Sequence, residues 1–328
     1  MSSAPVSVPI SVLGAGAFGT ALATSFAAHA PVWLWGRNAE VMARMQADRT
    51  CPRLPGVTLD PGLTCASDIT ALPASGPVLL AVPMQQLRAV TTRFADQLAH
   101  RTLVLCCKGI ELSTGLRASE VLAQTLPEAT LAVLTGPSFA ADIARGLPTA
   151  LTLACETADC AEELQEQLQA PHLRLYRTTD VTGAELGGAM KNVIAIACGA
   201  AIGAGLGDSA RAALMTRGYA EMSRMAKALG ASPATLAGLS GFGDLALTCT
   251  SEGSRNYRLG LAIGRGEDFD PAVTVEGAAT AQATHALAQR EGWDMPITEV
   301  VTGLVDQRLD VKTAMAQLLA RPLKEETP

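Results

Sequence analysis

A glycine-rich turn, G-A-G-A-F-G, stands between the first β-branched segment of the chain and the first stretch of helical composition. Its glycines are Gly14, Gly16 and Gly19. In such a turn one glycine permits a tight bend, one lets the backbone approach a pyrophosphate, and one lets the helix pack against the strand. The pyrophosphate contacts free N–H groups at the positive end of the helix. Placed between a first strand and a first helix, the turn predicts a dinucleotide-binding site.

The first half of the chain alternates strand-like and helix-like segments. Near-continuous apolar strands separated by helices predict a parallel sheet covered on both faces, which is the doubly wound α/β plan. The predicted strands are residues 10–13, 32–35, 78–82, 103–107, 131–134 and 150–155, with helices predicted at 17–28 and 118–124.

The strand pattern stops at about Thr182, and helical segments follow at residues 185–201, 214–229 and 277–290. A length of 328 residues suggests two domains, since one domain takes roughly 150 residues. We therefore expect a dinucleotide-binding domain over residues 1–182 and an all-helical domain over residues 183–328.

Composition narrows the range of functions. The chain is 48% hydrophobic and 17% charged, which excludes a disordered protein. Its net charge of -6 offers no basic stripe for nucleic acid. The eight cysteines and four histidines do not fall at metal-ligand spacing, so no metal site is expected.

The N-terminus lacks the basic region of a signal peptide, and the apolar stretch 193–207 is short and rich in glycine. A cytoplasmic protein without an integral membrane segment is expected.

The second predicted strand bears on the choice of cofactor. NAD-selective sites place an acidic residue at the end of this strand, where it accepts from the ribose 2′-OH. Here Val32–Trp35 is followed by Gly36 and Arg37, and the first acidic residue of the chain is Glu40. A guanidinium does not repel a 2′-phosphate and can pair with it, although a solvated loop residue is an alternative for Arg37. We expect acceptance of NADPH, with NADP(H), NAD(H) or both as cofactor.

Further cations are placed where an anionic substrate would bind. Lys108 follows a hydrophobic strand, at the edge where open α/β sheets bind ligands. Lys191 lies in an apolar, glycine-bearing helix, where a surface lysine with a snorkelling stem is the alternative. Ser254, Arg255 and Asn256 can donate several hydrogen bonds to a phosphate, although Ser254 is also a typical helix cap.

Taken in chain order, six motifs resemble those of the bacterial-type NAD(P)-dependent glycerol-3-phosphate dehydrogenases. They are G-A-G-A-F-G-T-A-L, C-K-G-I-E, G-P-S-F-A, K-N-V-I-A-I-A, G-F-G-D-L and S-R-N, and they span almost the whole chain. The resemblance implies a Rossmann domain followed by a helical substrate domain. It also implies reversible reduction of dihydroxyacetone phosphate to sn-glycerol 3-phosphate, which supplies glycerophospholipid synthesis.

The resemblance assigns roles residue by residue. Lys191 matches the catalytic lysine, and a positioned ammonium can both stabilise a developing alkoxide and deliver its proton. Implied substrate contacts are Lys108, Gly136, Ser138, Asn192, Asp244, Ser254, Arg255 and Asn256. Implied cofactor contacts are Gly14, Gly16, Phe18, Gly19, Arg37, Lys108, Ala140, Arg255 and Glu276.

Two alternatives share parts of this pattern. A β-hydroxyacid or 6-phosphogluconate-type dehydrogenase has the same domain plan, but its asparagine follows the lysine by several residues, whereas Asn192 follows Lys191 directly. A non-catalytic NAD(P) sensor would keep the glycine turn but would not need the lysines. A homodimer is expected as the commonest assembly.

Overall fold

A computed structural model describes residues 8–320 of the chain. The expected absence of a signal peptide rests partly on residues 1–7, which lie outside the described range. The described strands are β1 (Ile10–Leu13), β2 (Val32–Trp35), β3 (Thr50–Cys51), β4 (Leu54–Thr58), β5 (Leu63–Ala66), β6 (Val78–Leu80), β7 (Thr102–Leu105), β8 (Thr130–Thr135), β9 (Thr149–Cys155) and β10 (Leu173–Thr178).

The helices are described separately for the sheet-bearing half and for the helical half of the chain. In the sheet-bearing half they are α1 (Ala17–Ala27), α2 (Ala39–Asp48), α3 (Leu87–Arg93), α4 (Ala95–Leu98), α5 (Ala118–Thr125), α6 (Ala140–Ala144) and α7 (Ala158–Gln167). In the second half they are α8 (Val181–Gly203), α9 (Gly207–Ala228), α10 (Pro233–Ala237), α11 (Asp244–Cys249), α12 (Arg255–Arg265), α13 (Glu276–Glu291), α14 (Pro296–Val305) and α15 (Val311–Leu319).

The main sheet has eight strands in the order β10-β9-β8-β7-β6-β1-β2-β5. The six predicted strands correspond to β1, β2, β6, β7, β8 and β9, which confirms the doubly wound plan. The predicted parallel orientation is wrong for β9, which runs antiparallel to β8. The connection between the two strands, residues 136–148, contains only the five-residue helix α6. It stays at the edge of the sheet where β8 ends, and β9 begins there. A parallel neighbour would have required a crossover to the opposite edge.

The strands that sequence reasoning missed lie at the margins of the fold. β5 and β10 form the two edges of the main sheet, and β3 pairs only with β4. In β10 buried residues alternate with exposed ones, and β5 has a single fully buried residue. An edge strand exposed on one side lacks the continuous apolar run on which the central strands were recognised.

Helix α8 is the axis of the helical half, where α9, α11, α12, α13 and α14 pack around it. Its close approach to α12 depends on glycine. A Cβ on Gly199 would lie 2.1 Å from the carbonyl oxygen of Tyr257, and one on Gly260 would lie 2.2 Å from that of Ile196. By length and composition α8 could cross a membrane, but 89% of its most apolar window is buried inside the fold. It is a core helix.

The two halves of the chain interlock beside the carboxyl edge of the sheet. Ala184, near the start of α8, packs into the hydrophobic core beneath the sheet. Ile110, in the loop after β7, packs into the core of the helical half. Each core therefore contains a residue supplied by the other half of the chain.

Candidate functional site

The glycine turn connects β1 to α1 as predicted. Gly14 has φ +122°, and a Cβ on Gly19 would lie 2.1 Å from the carbonyl oxygen of Gly14. Gly16 is the N-cap of α1, and a Cβ there would meet nothing within 4 Å. The first turn of α1 carries no acidic residue, and a glycine N-cap leaves the first helical N–H groups open. This combination of free donors and open space fits the pyrophosphate of a dinucleotide.

Arg37 lies two residues after the end of β2, on the same sheet edge as the glycine turn. The two strands are paired, and the N–H of Gly14 donates to the carbonyl oxygen of Trp35 at 2.9 Å. The Arg37 side chain is exposed, while the next residue, Asn38, caps α2 by accepting from the N–H of Val41. The guanidinium is therefore available beside the place where a dinucleotide's adenosine ribose would lie.

Two lysines and one aspartate form the centre of the candidate site. Lys191 Nζ lies 2.6 Å from Oδ1 of Asp244, and Lys108 Nζ lies 2.6 Å from Oδ2 of the same carboxylate. Asp244 is fully buried. Lys108 also donates to the carbonyl oxygen of Gly136 at 3.1 Å, and the Ser138 hydroxyl donates to that oxygen at 3.2 Å. The structure thus brings together five of the predicted site residues.

The position of Asp244 depends on a π-helical turn, Leu239–Gly243, that precedes α11. A Cβ on Gly187 of α8 would lie 2.4 Å from the carbonyl oxygen of Ser240 in this turn. Because Gly187 allows α8 and the turn to touch, Asp244 comes within reach of Lys191, one turn further along α8.

Burial gives Lys191 an unusual acidity. The pKa of its ammonium is lowered to about 8, mainly because burial disfavours the charged form, and repulsion from Lys108 lowers it further. Asp244 and Cys249 oppose this shift and favour the ammonium. A lysine in this range can both donate and accept a proton near neutral pH.

A buried amide network lies next to Lys191. Asn256 donates through Nδ2 to Oδ1 of Asn192 at 2.8 Å and accepts from the N–H of Gly277 at 2.9 Å. Ser254 caps α12 by accepting from the N–H of Tyr257 at 3.2 Å. The helix-cap role of the Ser254 oxygen, left open by the sequence, is therefore present, and its hydroxyl proton can still be donated.

The remaining predicted residues lie at or near the starts of helices. Arg255 begins α12 with an exposed side chain, and Glu276 begins α13. Burial raises the pKa of Glu276, while the N–H of Met84 and the cation of Arg255 favour its charged form. Ala140 begins α6, and Phe18 lies partly buried in the first turn of α1.

Thr248 is part of the site but was given no role from the sequence. Its hydroxyl accepts from Lys191 Nζ at 2.8 Å and donates to the carbonyl oxygen of Asp244 at 2.6 Å. Lys191 is thus held by two acceptors on one face of α11. The spacing of Asp244 and Thr248, four residues apart in a helix, is the signal that could have identified it.

The turn at the first helix and the two lysines that share the buried Asp244 define a nicotinamide-dinucleotide-dependent oxidoreductase with a helical second domain. Family models for the N-terminus and C-terminus of NAD-dependent glycerol-3-phosphate dehydrogenase match residues 9–161 and 180–316. The chain belongs to this family.

Individual relatives agree with this assignment. The chain is 63% identical over 318 residues to glycerol-3-phosphate dehydrogenase [NAD(P)+] of Ruegeria sp. (strain TM1040), covering 97% of this chain and 99% of the relative. It is 58% identical to the enzyme of that name from Roseobacter denitrificans, with the same coverage. The crystal structure of glycerol-3-phosphate dehydrogenase from Coxiella burnetii superposes with a TM-score of 0.91 at 37% identity, covering 97% of this chain and 100% of that one.

Proposed function

We propose that this chain catalyses the reversible, NAD(P)H-dependent reduction of dihydroxyacetone phosphate to sn-glycerol 3-phosphate in the cytoplasm, supplying glycerophospholipid synthesis. The observation that carries the proposal is the largely buried Lys191–Asp244–Lys108 cluster, whose Lys108 follows β7 at the same edge of the sheet as the dinucleotide turn after β1. Membership of the glycerol-3-phosphate dehydrogenase family supports the choice of substrate.

Lys191 acts as the general acid in ketone reduction. The reduced nicotinamide, when bound, supplies a hydride to the ketone carbon. Lys191 donates its proton to the carbonyl oxygen as negative charge develops there, and takes a proton from the alcohol in the reverse direction. Asp244 and Thr248, at 2.6 and 2.8 Å, aim Nζ and leave its remaining proton for the substrate.

Lys108 adds a second positive charge beside the reacting oxygen. Asp244 balances part of the charge of both lysines through its two oxygens. The pair is therefore held in a fixed geometry before substrate binds, which is the arrangement that stabilises a developing oxyanion at little reorganisation cost.

The rest of the site holds the two ligands. Arg255 binds the substrate phosphate through its planar fork, and an uncharged ketone leaves this cation without a partner. Further substrate contacts are assigned to Gly136, Ser138, Asn192, Ser254 and Asn256. Cofactor contacts are assigned to Gly14, Gly16, Phe18, Gly19, Arg37, Lys108, Ala140, Arg255 and Glu276.

The chain has a dinucleotide-binding domain over residues 1–182 and a helical domain over residues 183–328, and it forms a homodimer. The last strand of the described range ends at Thr178, and the core helix α8 begins at Val181, so the change from strands to helices close to residue 182 supports two domains, with the first turn of α8 spanning the boundary. Two-fold dimers are the commonest oligomers of soluble enzymes, which supports the dimer.

The test is to mix the purified protein with dihydroxyacetone phosphate and follow the absorbance of NADPH and, separately, NADH. Non-phosphorylated dihydroxyacetone is the substrate control. Oxidation with the phosphorylated ketone alone is expected.

In Lys191→Ala, turnover should fall by orders of magnitude while NADPH binding persists. Lys227→Ala, which removes an exposed lysine, is the matched control and should keep wild-type turnover. Cofactor binding by the wild-type protein without any oxidation would instead favour both alternatives, the hydroxyacid dehydrogenase and the sensor.

A further inference from the structure

A buried carboxylate on α8 reaches across to the sheet-bearing half of the chain. Glu185 accepts from the N–H of Ser119 at 2.7 Å, from the Ser119 hydroxyl at 2.6 Å, and from Arg117 Nη1 at 3.1 Å. Arg117 also donates to the hydroxyl of Thr182, at 2.9 Å. The Glu185 side chain is only 7% exposed. A single side chain of the helical half is therefore the acceptor for three donors at the start of α5.

The start of α5 is in turn tied to the loop that carries Lys108. Ile110 and Arg117 form an antiparallel bridge, and the N–H of Glu111 donates to the carbonyl oxygen of Leu116 at 2.9 Å. These two contacts pair residues 110–111 with residues 116–117 in the segment that connects β7 to α5. Arg117 is paired with Ile110, two residues from Lys108, so the position of Arg117 bears on the backbone that carries Lys108.

Helix α8 carries both Glu185 and Lys191. The two residues are six positions apart, which is about 9 Å along a helix axis. One rigid helix therefore holds Lys191 directly and holds the Lys108 loop through Glu185.

We propose that Glu185 is a positioning residue, which fixes the Lys108 loop against α8 and so sets the spacing between Lys108 and Lys191. The proposal rests on the proposed function, because the two lysines are taken to act on the same carbonyl oxygen. Glu185 acts through Arg117 and Ser119, and not through a contact with the reacting atoms.

The arrangement requires a carboxylate. Burial raises the pKa of Glu185, while the Ser119 hydrogen bonds and the Arg117 cation favour its charged form. In Glu185→Gln the amide has one acceptor oxygen, and its NH₂ group faces donors. At least one of the three bonds is lost, and the start of α5 is held less firmly against α8.

The test compares the full-length wild-type enzyme with Glu185→Gln. We expect kcat for ketone reduction to fall by about tenfold to hundredfold, as for a small misplacement of a catalytic group, while the protein still binds NADPH. The basic limb of the pH–rate profile, where the rate of ketone reduction falls as Lys191 loses its proton, should move to higher pH. Lys108 repels the Lys191 ammonium, whereas Asp244 and Cys249, the other ionisable groups facing it, favour it. Withdrawing Lys108 therefore raises the pKa of Lys191.

Glu221→Gln is a matched control. Glu221 is also buried, and it accepts from the N–H groups of Ile297 and Thr298, at 2.8 and 2.9 Å, and from the Thr298 hydroxyl at 2.6 Å. All of these partners belong to the helical half. Glu221→Gln should lower the melting temperature as Glu185→Gln does, while kcat and the basic limb stay at wild-type values.

Amide hydrogen exchange over residues 108–117 gives a readout that does not depend on activity. Exchange should rise in Glu185→Gln and stay unchanged in Glu221→Gln. Unchanged exchange, or a wild-type kcat and basic limb in Glu185→Gln, would overturn the positioning role. If the wild-type protein reduces no ketone, the proposed function fails, and the exchange comparison still decides whether Glu185 holds the loop. If Glu185→Gln does not fold, Ser119→Ala replaces it, because this variant removes only the 2.6 Å hydrogen bond to Glu185. Increased exchange over residues 108–117 and a lower kcat are then expected, and wild-type values would overturn the positioning role.

Discussion

Lys191 Nζ lies 2.6 Å from Oδ1 of Asp244, and the two side chains are only 9% and 0% exposed. Water cannot screen a pair buried to this degree, so each charge depends on the other. The consequences for catalysis can be measured in the pH dependence of the reaction and in the effect of removing the carboxylate.

The first prediction concerns the direction of the pH dependence. Burial and Lys108 lower the pKa of Lys191 to about 8, against the opposing effects of Asp244 and Cys249. Ketone reduction needs the protonated form, so its kcat/KM, which reports the free enzyme, should decline as pH rises through about 8. Alcohol oxidation needs the neutral form, so its kcat/KM should rise over the same range. Steady-state kinetics in both directions test this, and profiles that move in the same direction would contradict it.

The second prediction concerns Asp244→Asn. Without the carboxylate the two ammonium groups repel each other, and the pKa of Lys191 should fall further because Asp244 favours its charged form. We expect kcat to drop by about a hundredfold or more, the basic limb to move to lower pH, and stability to fall by about 3 kcal/mol. Denaturant unfolding and pH–rate profiles measure these effects. A basic limb at or above the wild-type position would show that Asp244 does not control Lys191.

The third prediction separates binding from folding in the glycine turn. A Cβ on Gly16 would meet no protein atom within 4 Å, whereas one on Gly19 would lie 2.1 Å from a backbone oxygen. Gly16→Ala should therefore keep the wild-type melting temperature but raise the Kd for NADPH, because the methyl group occupies space assigned to the pyrophosphate. Gly19→Ala should lower the melting temperature. Unchanged NADPH affinity in Gly16→Ala would remove this glycine from the cofactor site.

Sequence reasoning recovered the parts of the fold in which local pattern and burial agree. β1, β6 and β7 are short apolar runs with almost every residue buried, and each was predicted. The orientation of β9 could not be predicted from the sequence, because it depends on whether the connection 136–148 stays at the edge where β8 ends or crosses to the opposite edge. Nothing in the apolar pattern of a strand records that path.

In the candidate site, too, local pattern identified single residues but not the contacts between them. Lys108 and Lys191 were identified one at a time, from their positions after a strand and within an apolar helix. Their common partner, Asp244, lies 136 and 53 residues away along the chain, so a sequence pattern cannot give its distance to either. Glu185 was missed for the same reason, because Ser119 is 66 residues away and a glutamate in a helix is usually a solvated residue.

The last prediction concerns the choice of cofactor. Arg37 is exposed at the end of β2, where NAD-selective sites place an acidic residue. Arg37→Ala should raise KM for NADPH by about tenfold, since a charge-assisted hydrogen bond contributes about 1.5 kcal/mol or more, and leave KM for NADH unchanged. Arg44→Ala, at an exposed position in α2, is the control for the loss of one positive charge. Arg37→Asp should improve the relative use of NADH, because a carboxylate accepts from the ribose 2′-OH and repels a 2′-phosphate. An equal change in KM for both cofactors in Arg37→Ala would mean that Arg37 does not contact the 2′-phosphate.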